Sequence, residues 1–367
     1  MRFWRRSLLT VAVCLLALSG RAYAMSARSA VVMDADTGAV RYAHNADEVL
    51  PMASTTKIMT ALVVIEQGDL DRSYTVKPEY TRTEGSSMYL KPGETLTIRD
   101  TLYGLMLMSG NDAALALAGE CGGQEAFVQA MNDKAQALGL TNTHFENPNG
   151  LDGETHHTTA HELAQLTAYA LQNPDFREIV STKSITCAGR TMVNHNKMLT
   201  QYQGAIGVKT GYTKKCGRCL VSAAERNGRT LVAVTLNDPD DWDDHAAMLD
   251  DAFSAYAPVT LHQAGETVGD VPVEGGTQPR VGLTADHDAV VYLTDDEREQ
   301  VTDSFRGRRF VYATVAGGDY YGEIVYRLGD FLIKTDSLAY AGDVEQVEPP
   351  PSIWERLIEF FKNLFGW

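Results

Sequence analysis

The stretch that decides the fold is Cys-Leu-Val-Ser-Ala-Ala-Glu-Arg-Asn-Gly-Arg-Thr-Leu-Val-Ala-Val-Thr-Leu-Asn, residues 219–237. Two apolar runs rich in valine and leucine flank the pair Asn227-Gly228, and an Asn-Gly pair favours the tight turn of a β-hairpin. A further run just before them, residues 207–211, is also typical of a strand. This part of the chain therefore predicts three neighbouring strands.

The other predicted elements can be arranged around these strands. Residues 25–43 are typical of a hairpin, with a turn at Asp34-Ala35-Asp36-Thr37-Gly38. With helices in the middle of the chain and strands at both ends, we expect an α+β fold in which one antiparallel sheet carries packed helices. Apolar spacing and end signals predict helices over 54–67, 100–108, 112–120, 159–171 and 248–256.

The first residues are typical of an export signal. Three arginines precede an apolar run, residues 8–18, and the small-residue site Ala22-Tyr23-Ala24 follows. We expect residues 1–24 to be a signal peptide and the mature protein to work outside the cytoplasm. The alternative is an uncleaved anchor, but a run of about 11 residues is short for roughly 30 Å of hydrocarbon.

The charge of the chain excludes some classes of function. It has 367 residues with 32 basic against 48 acidic side chains, a net charge of −16. Without the four arginines of the predicted signal, 28 basic residues face 48 acidic ones and the charge becomes −20. Such acidity argues against a nucleic-acid partner and against attachment to lipid through a polybasic patch. The length suits two or three domains.

A change in composition predicts a domain boundary after residue 257. Residues 25–257 form the first predicted domain. Residues 258–348 are rich in β-branched residues and glycine and predict a small all-β domain. Residues 258–350 hold 17 acidic and 7 basic side chains, which is half of the acidic excess of the mature chain.

The end of the chain, residues 349–367, predicts a stiff spacer of three prolines followed by an amphipathic helix. Ser352 and Glu355 have the spacing of a capping box. At 16 residues the helix is too short to cross a bilayer upright, and we expect it to lie in the membrane interface. The alternative is packing against the protein's own core or a partner. Its apolar face comprises Ile353, Trp354, Leu357, Ile358, Phe361, Leu364 and Phe365.

Cysteines and histidines give weaker indications. Cys121, Cys187, Cys216 and Cys219 can form disulfides in an oxidising compartment. The last two have the C-x-x-C spacing of redox and metal sites, but they enter a predicted strand, where residues three apart face opposite sides. The histidines within 156–161 lack the H-E-x-x-H pattern of zinc peptidases. We expect neither a metal nor a cofactor.

Chemistry is indicated by three short motifs, of which the first is Ser54-Thr55-Thr56-Lys57. At the start of a helix, residues i and i+3 share a face, so the Ser54 hydroxyl and the Lys57 amine can meet. Serine needs a neighbouring base to become a nucleophile. Lysine is a base only when neutral, a state favoured by burial and by a second cation. Alone, the motif is equally typical of a helix cap with a surface lysine.

The other two motifs add polar groups. Ser109-Gly110-Asn111 lies on a break between two predicted helices, and its hydroxyl and amide suit proton relay and the binding of a substrate amide. A simple turn between helices has the same composition. Lys209-Thr210-Gly211, on a predicted strand, offers an ammonium group and a hydroxyl to a carboxylate. Its glycine lets another backbone approach closely.

Together, the three motifs resemble the signature of the low-molecular-mass penicillin-binding proteins, the serine-type D-alanyl-D-alanine carboxypeptidases. Segments 84–90, 145–151, 156–163 and 207–213 also resemble that family. The resemblance is close over residues 28–257. It implies a β-lactamase/transpeptidase-like domain, a peptidoglycan stem peptide as substrate and β-lactam antibiotics as covalent inhibitors.

The resemblance also implies roles for individual residues. Ser54 would attack the carbonyl between two D-alanines and form an acyl-enzyme, while Lys57 would take its proton. Ser109 and Asn111 would assist proton transfer and hold the peptide. Lys209 and Thr210 would bind the terminal carboxylate of the substrate, next to Gly211. The N–H groups of Ser54 and Tyr212 would form an oxyanion hole. Ser86 and Ser87 would bind the substrate from a flanking loop.

Some alternatives share these motifs. A D,D-endopeptidase that cuts cross-links has all three, and an inactive wall-binding protein could retain the scaffold. A class A β-lactamase needs an additional E-x-x-L-N segment, which the sequence between Ser109 and Lys209 lacks. Some relatives also carry an arginine, shortly after the strand that follows the third motif, that helps to bind the carboxylate, whereas residues 238–245 contain none. Carboxylate binding would then depend on Lys209 and Thr210.

Overall fold

A computed structural model describes residues 25–348 and 352–365. The chain divides into two compact units between Ser254 and Ala255. The predicted signal peptide, residues 1–24, and the predicted proline spacer, residues 349–351, lie outside the described residues.

The first unit contains one main sheet and two short two-stranded sheets, β3-β4 and β5-β6. Its strands are β1 (Ser29–Asp34), β2 (Val40–His44), β3 (Ser73–Thr75), β4 (Thr95–Thr97), β5 (Ser184–Cys187), β6 (Arg190–Val193), β7 (Ala205–Thr213), β8 (Gly217–Arg226) and β9 (Arg229–Leu236). The main sheet has the order β2-β1-β9-β8-β7, and all its pairs are antiparallel. Asn227 and Gly228 form the predicted hairpin turn with positive φ angles of 53° and 75°.

Helices cover this sheet. They are α1 (Lys57–Gln67), α2 (Ile98–Leu107), α3 (Asn111–Glu120), α4 (Gln124–Ala137), α5 (Ala160–Leu171), α6 (Pro174–Ser181), α7 (Met198–Gln201) and α8 (Asp241–Ser254), with 3₁₀ turns at Ala53–Thr56 and Pro78–Thr81. Helix α5 packs on β1 and β9, and α8 packs on β8 and β9. Every residue of β1 and β9 is buried, so both faces of these central strands are covered.

The structure confirms the predicted mixture of helices and sheet and adds elements that apolar spacing did not reveal. Helices α4 and α6 were not predicted, and α8 begins at Asp241, seven residues before the predicted start. Acidic side chains occupy its first turn, where their negative charge interacts favourably with the positive end of the helix dipole and stabilises the helix. The spacing of apolar residues does not reveal a first helical turn that is composed mainly of acidic residues.

The sequence Thr159-x-x-Glu162 at the start of α5 has the spacing that predicts a capping box, of which the structure contains one half. The Thr159 hydroxyl accepts a hydrogen bond from the Glu162 N–H at 3.0 Å. The Glu162 carboxylate instead accepts from the N–H of Asn142 and from the hydroxyl of Thr143. It therefore ties the start of α5 to the preceding loop.

The second unit is built almost entirely of strands. They are β10 (Ala257–His262), β11 (Thr267–Glu274), β12 (Arg280–Ala285), β13 (Ala289–Leu293), β14 (Val301–Arg306), β15 (Val311–Tyr312), β16 (Tyr320–Leu328) and β17 (Phe331–Tyr340). Six of them form a sheet in the order β14-β16-β17-β12-β11-β15, and β10 pairs with β13. The expected all-β domain also contains one helical turn, α9 (Asp295–Arg298). Thr294 and Glu297 form a capping box at its start.

The described chain ends in helix α10 (Ile353–Phe365). Ser352 and Glu355 exchange hydrogen bonds at its start. Ile353 and Trp354 are 77% and 75% exposed. Across the residues that the structure describes, helices of the length and apolarity needed to span a membrane are absent.

A buried histidine attaches α8 to the main sheet and predicts a pH-dependent stability. His245 contacts the hydroxyls of Ser222 on β8 and Thr235 on β9, and burial lowers its pKa to about 3. Because the unfolded chain takes up a proton near pH 6.5 and the folded chain does not, stability falls as the pH falls below 6.5. Between pH 6.5 and pH 5 we expect a loss of about 2 kcal/mol from this residue.

Urea unfolding at pH 7 and pH 5 measures this effect. We expect His245→Gln to reduce the pH dependence, and His161→Gln, which removes a partly exposed hydrogen bond to Asp47, serves as the matched control. Equal pH dependence in all three proteins would contradict the assignment to His245.

Candidate active site

The 3₁₀ turn Ala53–Thr56 presents Ser54 beside Lys57. Residues i and i+3 eclipse one another in a 3₁₀ turn, and α1 continues directly from it. Lys57 Nζ consequently lies 3.0 Å from Ser54 Oγ. Ser54 is partly exposed, whereas Lys57 is fully buried.

Lys57 has two further hydrogen-bond partners, both of which accept. Its Nζ donates to Asn111 Oδ1 at 2.7 Å and to the carbonyl of Asn149. The amide of Asn111 is oriented by its Nδ2, which donates to the Glu84 carbonyl at 2.7 Å. A neutral amine has two N–H groups and one lone pair. The two acceptors therefore use the N–H groups and leave the lone pair for the proton of Ser54.

The surroundings of Lys57 favour this neutral amine. Burial, followed by the positive charge of Lys209, holds the pKa of Lys57 well below its usual value, and Asp112 opposes the shift. Both effects disfavour the charged form, the first by desolvation and the second by repulsion. The arrangement thus supplies a hydroxyl and a base in contact.

The break between α2 and α3 positions the second motif and the loop before it. Ser109 has a positive φ of 56° and faces a surface cavity. Asp112 accepts from the Ser87 hydroxyl at 2.6 Å and from two backbone N–H groups of the same loop. Ser86 consequently lines the cavity, while the Ser87 hydroxyl is directed to Asp112 and lies outside the lining.

Strand β7 forms the opposite wall. Thr210, Gly211 and Tyr212 line the cavity. A Cβ on Gly211 would stand 3.1 Å from the backbone nitrogen of Ser54, a crowded distance, so glycine favours this close approach. Lys209 is buried, donates to the Thr210 carbonyl at 2.8 Å, and has its pKa lowered to about 7 by burial.

A loop that sequence reasoning did not assign to the site completes the surroundings of Lys57. A Cβ on Gly150, whose φ is +85°, would lie 2.1 Å from the carbonyl oxygen of Ala53. This packing brings the neighbouring Asn149 carbonyl to Lys57. The Thr60 hydroxyl holds the same loop through the Pro148 carbonyl at 2.6 Å. A backbone carbonyl has no side-chain signature, so sequence alone did not identify this contact.

These groups surround one cavity with a volume of about 510 Å³. Four of its lining residues were not predicted. His195 follows β6, Arg218 lies on β8, and Asp241 with Trp242 begins α8. They come from three separate parts of the chain, which is why no local motif indicated them. The full lining is Ser54, Ser86, Ser109, His195, Thr210, Gly211, Tyr212, Arg218, Asp241 and Trp242.

The cysteine pair near this site differs from the expected arrangement. Cys216 lies in the turn before β8 and Cys219 lies within the strand, and both are buried free thiols. A hydrogen bond from Cys219 holds the pKa of the Cys216 thiol below its usual value. We expected the two side chains to face opposite sides of a strand. This expectation was wrong, because the strand begins only at Gly217 and Cys216 therefore lies outside it.

The histidines in 156–161 have structural partners. Burial lowers the pKa of His156 to about 4, and its neutral ring accepts from the Glu146 N–H and contacts the Thr56 hydroxyl at 2.7 Å. Over the ranges 25–348 and 352–365, groups of three or more His, Cys, Asp or Glu side chains suited to a metal ion are not found.

Comparison with known proteins identifies the family to which each part of the chain is similar. A model of the D-alanyl-D-alanine carboxypeptidases of peptidase family S11 matches residues 17–240. A model of the penicillin-binding protein 5 C-terminal domain matches residues 256–346.

The names of individual similar proteins agree with these family matches. The D-alanyl-D-alanine carboxypeptidase DacF of Bacillus subtilis is 31% identical over 94% of this chain and 90% of its own length. DacB2 of Mycobacterium tuberculosis, another D-alanyl-D-alanine carboxypeptidase, is 38% identical over 62% of this chain and 82% of its own length. The crystal structure of penicillin binding protein 5 from Haemophilus influenzae superposes with a TM-score of 0.62 at 26% identity, over 89% of this chain and all of that one.

The family match covers more than half of the chain, and the similarity to DacF extends over both folded units. The chain therefore belongs to the S11 peptidases, the serine-type D-alanyl-D-alanine carboxypeptidases.

Proposed function

We propose that Ser54 is the nucleophile with which this carboxypeptidase removes the terminal D-alanine from peptidoglycan pentapeptide stems. The observation that carries the proposal is the 3.0 Å contact between Ser54 Oγ and the buried Lys57 amine, whose two other partners can only accept. Lys57 takes the hydroxyl proton as Ser54 Oγ bonds to the carbonyl carbon between the two D-alanines. General-base assistance of this kind contributes about 10²- to 10⁴-fold to a rate.

The negative oxygen formed in this step requires donors. We assign the backbone N–H groups of Ser54 and Tyr212 to it, since preorganised donors at a developing oxyanion stabilise the transition state strongly. The close approach of Gly211 to the Ser54 nitrogen supports the assignment, because it holds β7 against the turn that carries the nucleophile.

The acyl-enzyme forms when the C–N bond breaks. The departing D-alanine amine takes the proton from Lys57, and the Ser109 hydroxyl, which faces the cavity, assists the transfer. Asn111 orients Lys57 and is available to a substrate amide. Water then attacks the ester, again with Lys57 as base, and releases the shortened peptide and free Ser54.

The same steps explain how β-lactam antibiotics would inhibit the enzyme covalently, as they do other members of this family. Ser54 attacks the lactam carbonyl and the ring C–N bond opens. The amine stays attached to the acyl group rather than leaving. Substrate contacts are assigned to Lys209 and Thr210 at the terminal carboxylate, with Gly211, Tyr212 and Ser86 around the peptide. The predicted contact of Ser87 is not retained, because its hydroxyl donates to Asp112 instead.

Product analysis tests the proposed reaction. We expect purified protein incubated with a pentapeptide stem to release free D-alanine and a tetrapeptide. Incubation with cross-linked muropeptide dimers tests the D,D-endopeptidase alternative, which the named activities of the relatives do not favour. Cleavage of dimers without D-alanine release from the monomer would overturn the carboxypeptidase assignment.

We further propose that the chain is exported and acts at the outer face of the cytoplasmic membrane. Its family acts on wall peptidoglycan, and residues 1–24 have the pattern of a signal peptide. The proposed organisation is a catalytic domain over 25–257, a β domain over 258–348, and an interfacial helix within 349–367. Exposed Ile353 and Trp354 on α10 support membrane association through burial of apolar side chains.

Vesicle binding tests this last segment. We expect the mature chain to sediment with phosphatidylglycerol–phosphatidylcholine vesicles and a chain lacking residues 349–367 to remain in the supernatant with unchanged carboxypeptidase activity. Trp354→Glu should weaken sedimentation, whereas Phe305→Glu, at an exposed aromatic residue of β14, should not. Equal sedimentation of the full and shortened chains would contradict the proposal.

A further inference from the structure

The substrate of the proposed reaction ends in a carboxylate, and Lys209 alone is a limited partner for it. Its amine is buried and already donates to the Thr210 carbonyl. Burial lowers the pKa of Lys209 to about 7, so about half of the amines are uncharged at pH 7. A second cation near Thr210 would therefore strengthen carboxylate binding at and above this pH.

Arg218 is a cation in the right place. It is the cross-strand neighbour of Tyr212 in the β7–β8 pair, so their side chains lie on the same face of the sheet. Thr210 lies two residues from Tyr212 and shares that face. Among the described residues that line the cavity, Arg218 alone bears a guanidinium group. Its side chain is 43% exposed and thus accessible from the cavity.

Two neighbours from the start of α8 hold this guanidinium. Nη2 of Arg218 donates to Oδ1 of the buried Asp241, and the guanidinium carbon lies 5.8 Å from the centre of the Trp242 ring. Asp241 raises the pKa of Arg218, which keeps it charged at any physiological pH. Lys197 Nζ lies 5.9 Å from the centre of the same ring. The negative charges of Asp238 and Asp240 also raise the pKa of Arg218.

We propose that Arg218, oriented by Asp241 and Trp242, binds the terminal carboxylate of the substrate together with Thr210. The inference rests on the proposed function and adds a specificity-determining residue to it. Guanidinium groups present several N–H donors in a plane, so a carboxylate can bind beside the Asp241 contact. Arg218 thus takes the place of the arginine that residues 238–245 lack. Asp241 is a positioning residue.

A pair of substrates separates carboxylate recognition from catalysis. One peptide ends in D-alanyl-D-alanine, and the other is the same peptide with its terminal carboxylate converted to an amide. In Arg218→Gln we expect kcat/KM for the carboxylate peptide to fall about 10- to 100-fold, chiefly through KM, with little change for the amide peptide. Arg218→Lys should recover part of the loss, because the charge returns without the planar donors.

The matched control is Arg226→Gln. Arg226 lies on the same strand, pairs with Asp250 at 3.0 Å and stacks on the rings of Tyr202 and Phe253, all outside the cavity lining. It should leave both peptides unaffected. The pH profile provides an independent measurement: in Arg218→Gln, binding of the carboxylate peptide should weaken as the pH rises through 7, because Lys209 then loses its proton. The wild type should weaken less.

Equal losses for the two peptides in Arg218→Gln, or an unchanged KM for the carboxylate peptide, would overturn the assignment of Arg218. If Arg218→Gln does not fold, the wild-type protein still decides the question. A less than threefold preference for the carboxylate over the amide peptide above pH 8 would then count against a permanent cation at this position. Failure of the proposed function itself is distinguishable, because wild-type protein would then form no penicillin adduct at Ser54.

Discussion

We expect Ser54→Ala to abolish covalent penicillin binding and to lower D-alanine release by a factor of at least about 10⁴. The reason is that no other described hydroxyl contacts Lys57 Nζ, whose partners are Ser54, Asn111 and the Asn149 carbonyl. Without Oγ, neither the ester intermediate nor the penicilloyl adduct can form. Intact-protein mass spectrometry after incubation with benzylpenicillin measures the adduct directly.

The variant should fold normally, because Ser54 is partly exposed and its side chain has no packing role in the buried core. Ser184→Ala serves as the control, since Ser184 is an exposed serine on β5 outside the cavity lining. It should acquire the full mass shift. An adduct on Ser54→Ala, mapped to another residue by peptide digestion, would move the nucleophile elsewhere.

Lys57→Met has the second largest expected effect, a decrease of about 10²- to 10⁴-fold in the rate of acylation by penicillin. Methionine has nearly the same length as lysine and fits an apolar enclosure, but it removes the base. It also leaves Asn111 Oδ1 and the Asn149 carbonyl without their donor. Such buried acceptors cost about 1–3 kcal/mol each, so thermal unfolding should be followed in parallel.

The pH profile distinguishes loss of a base from general damage. In the wild type, acylation should increase as the pH rises through the lowered pKa of Lys57, because only the neutral amine takes the proton. In Lys57→Met this limb of the profile should disappear. Lys134→Met, which breaks the surface ion pair with Glu66, should retain both rate and profile. Acylation of Lys57→Met within tenfold of the wild type would exclude Lys57 as the base.

The sequence predicted best what depends on neighbouring residues. The turn at Asn227-Gly228 and the contact of Ser54 with Lys57 follow from spacings of one to three residues, which fix geometry locally. The resemblance of three motifs identified the family, although each alone was ambiguous. The roles assigned to these residues remain proposals that the two substitutions above test.

What the sequence did not predict depends on tertiary packing. The Asn149 carbonyl reaches Lys57 only because Gly150 lets its loop pack on Ala53. Arg218 faces the cavity because of the register between β7 and β8, and a one-residue slip would turn it away. The Cys216–Cys219 pair was misjudged for a related reason, since the strand begins at Gly217, one residue after Cys216.

The order of the main sheet has a consequence for how the chain comes to be folded. Strand β1 is paired on both sides, with β2 from the same hairpin and with β9 about two hundred residues further along. A chain that emerges with its N-terminus first holds an incomplete sheet until β9 has followed. Pairings at such sequence separation slow folding. The main sheet of the first unit is consequently completed only when its last strand, β9, has paired with β1.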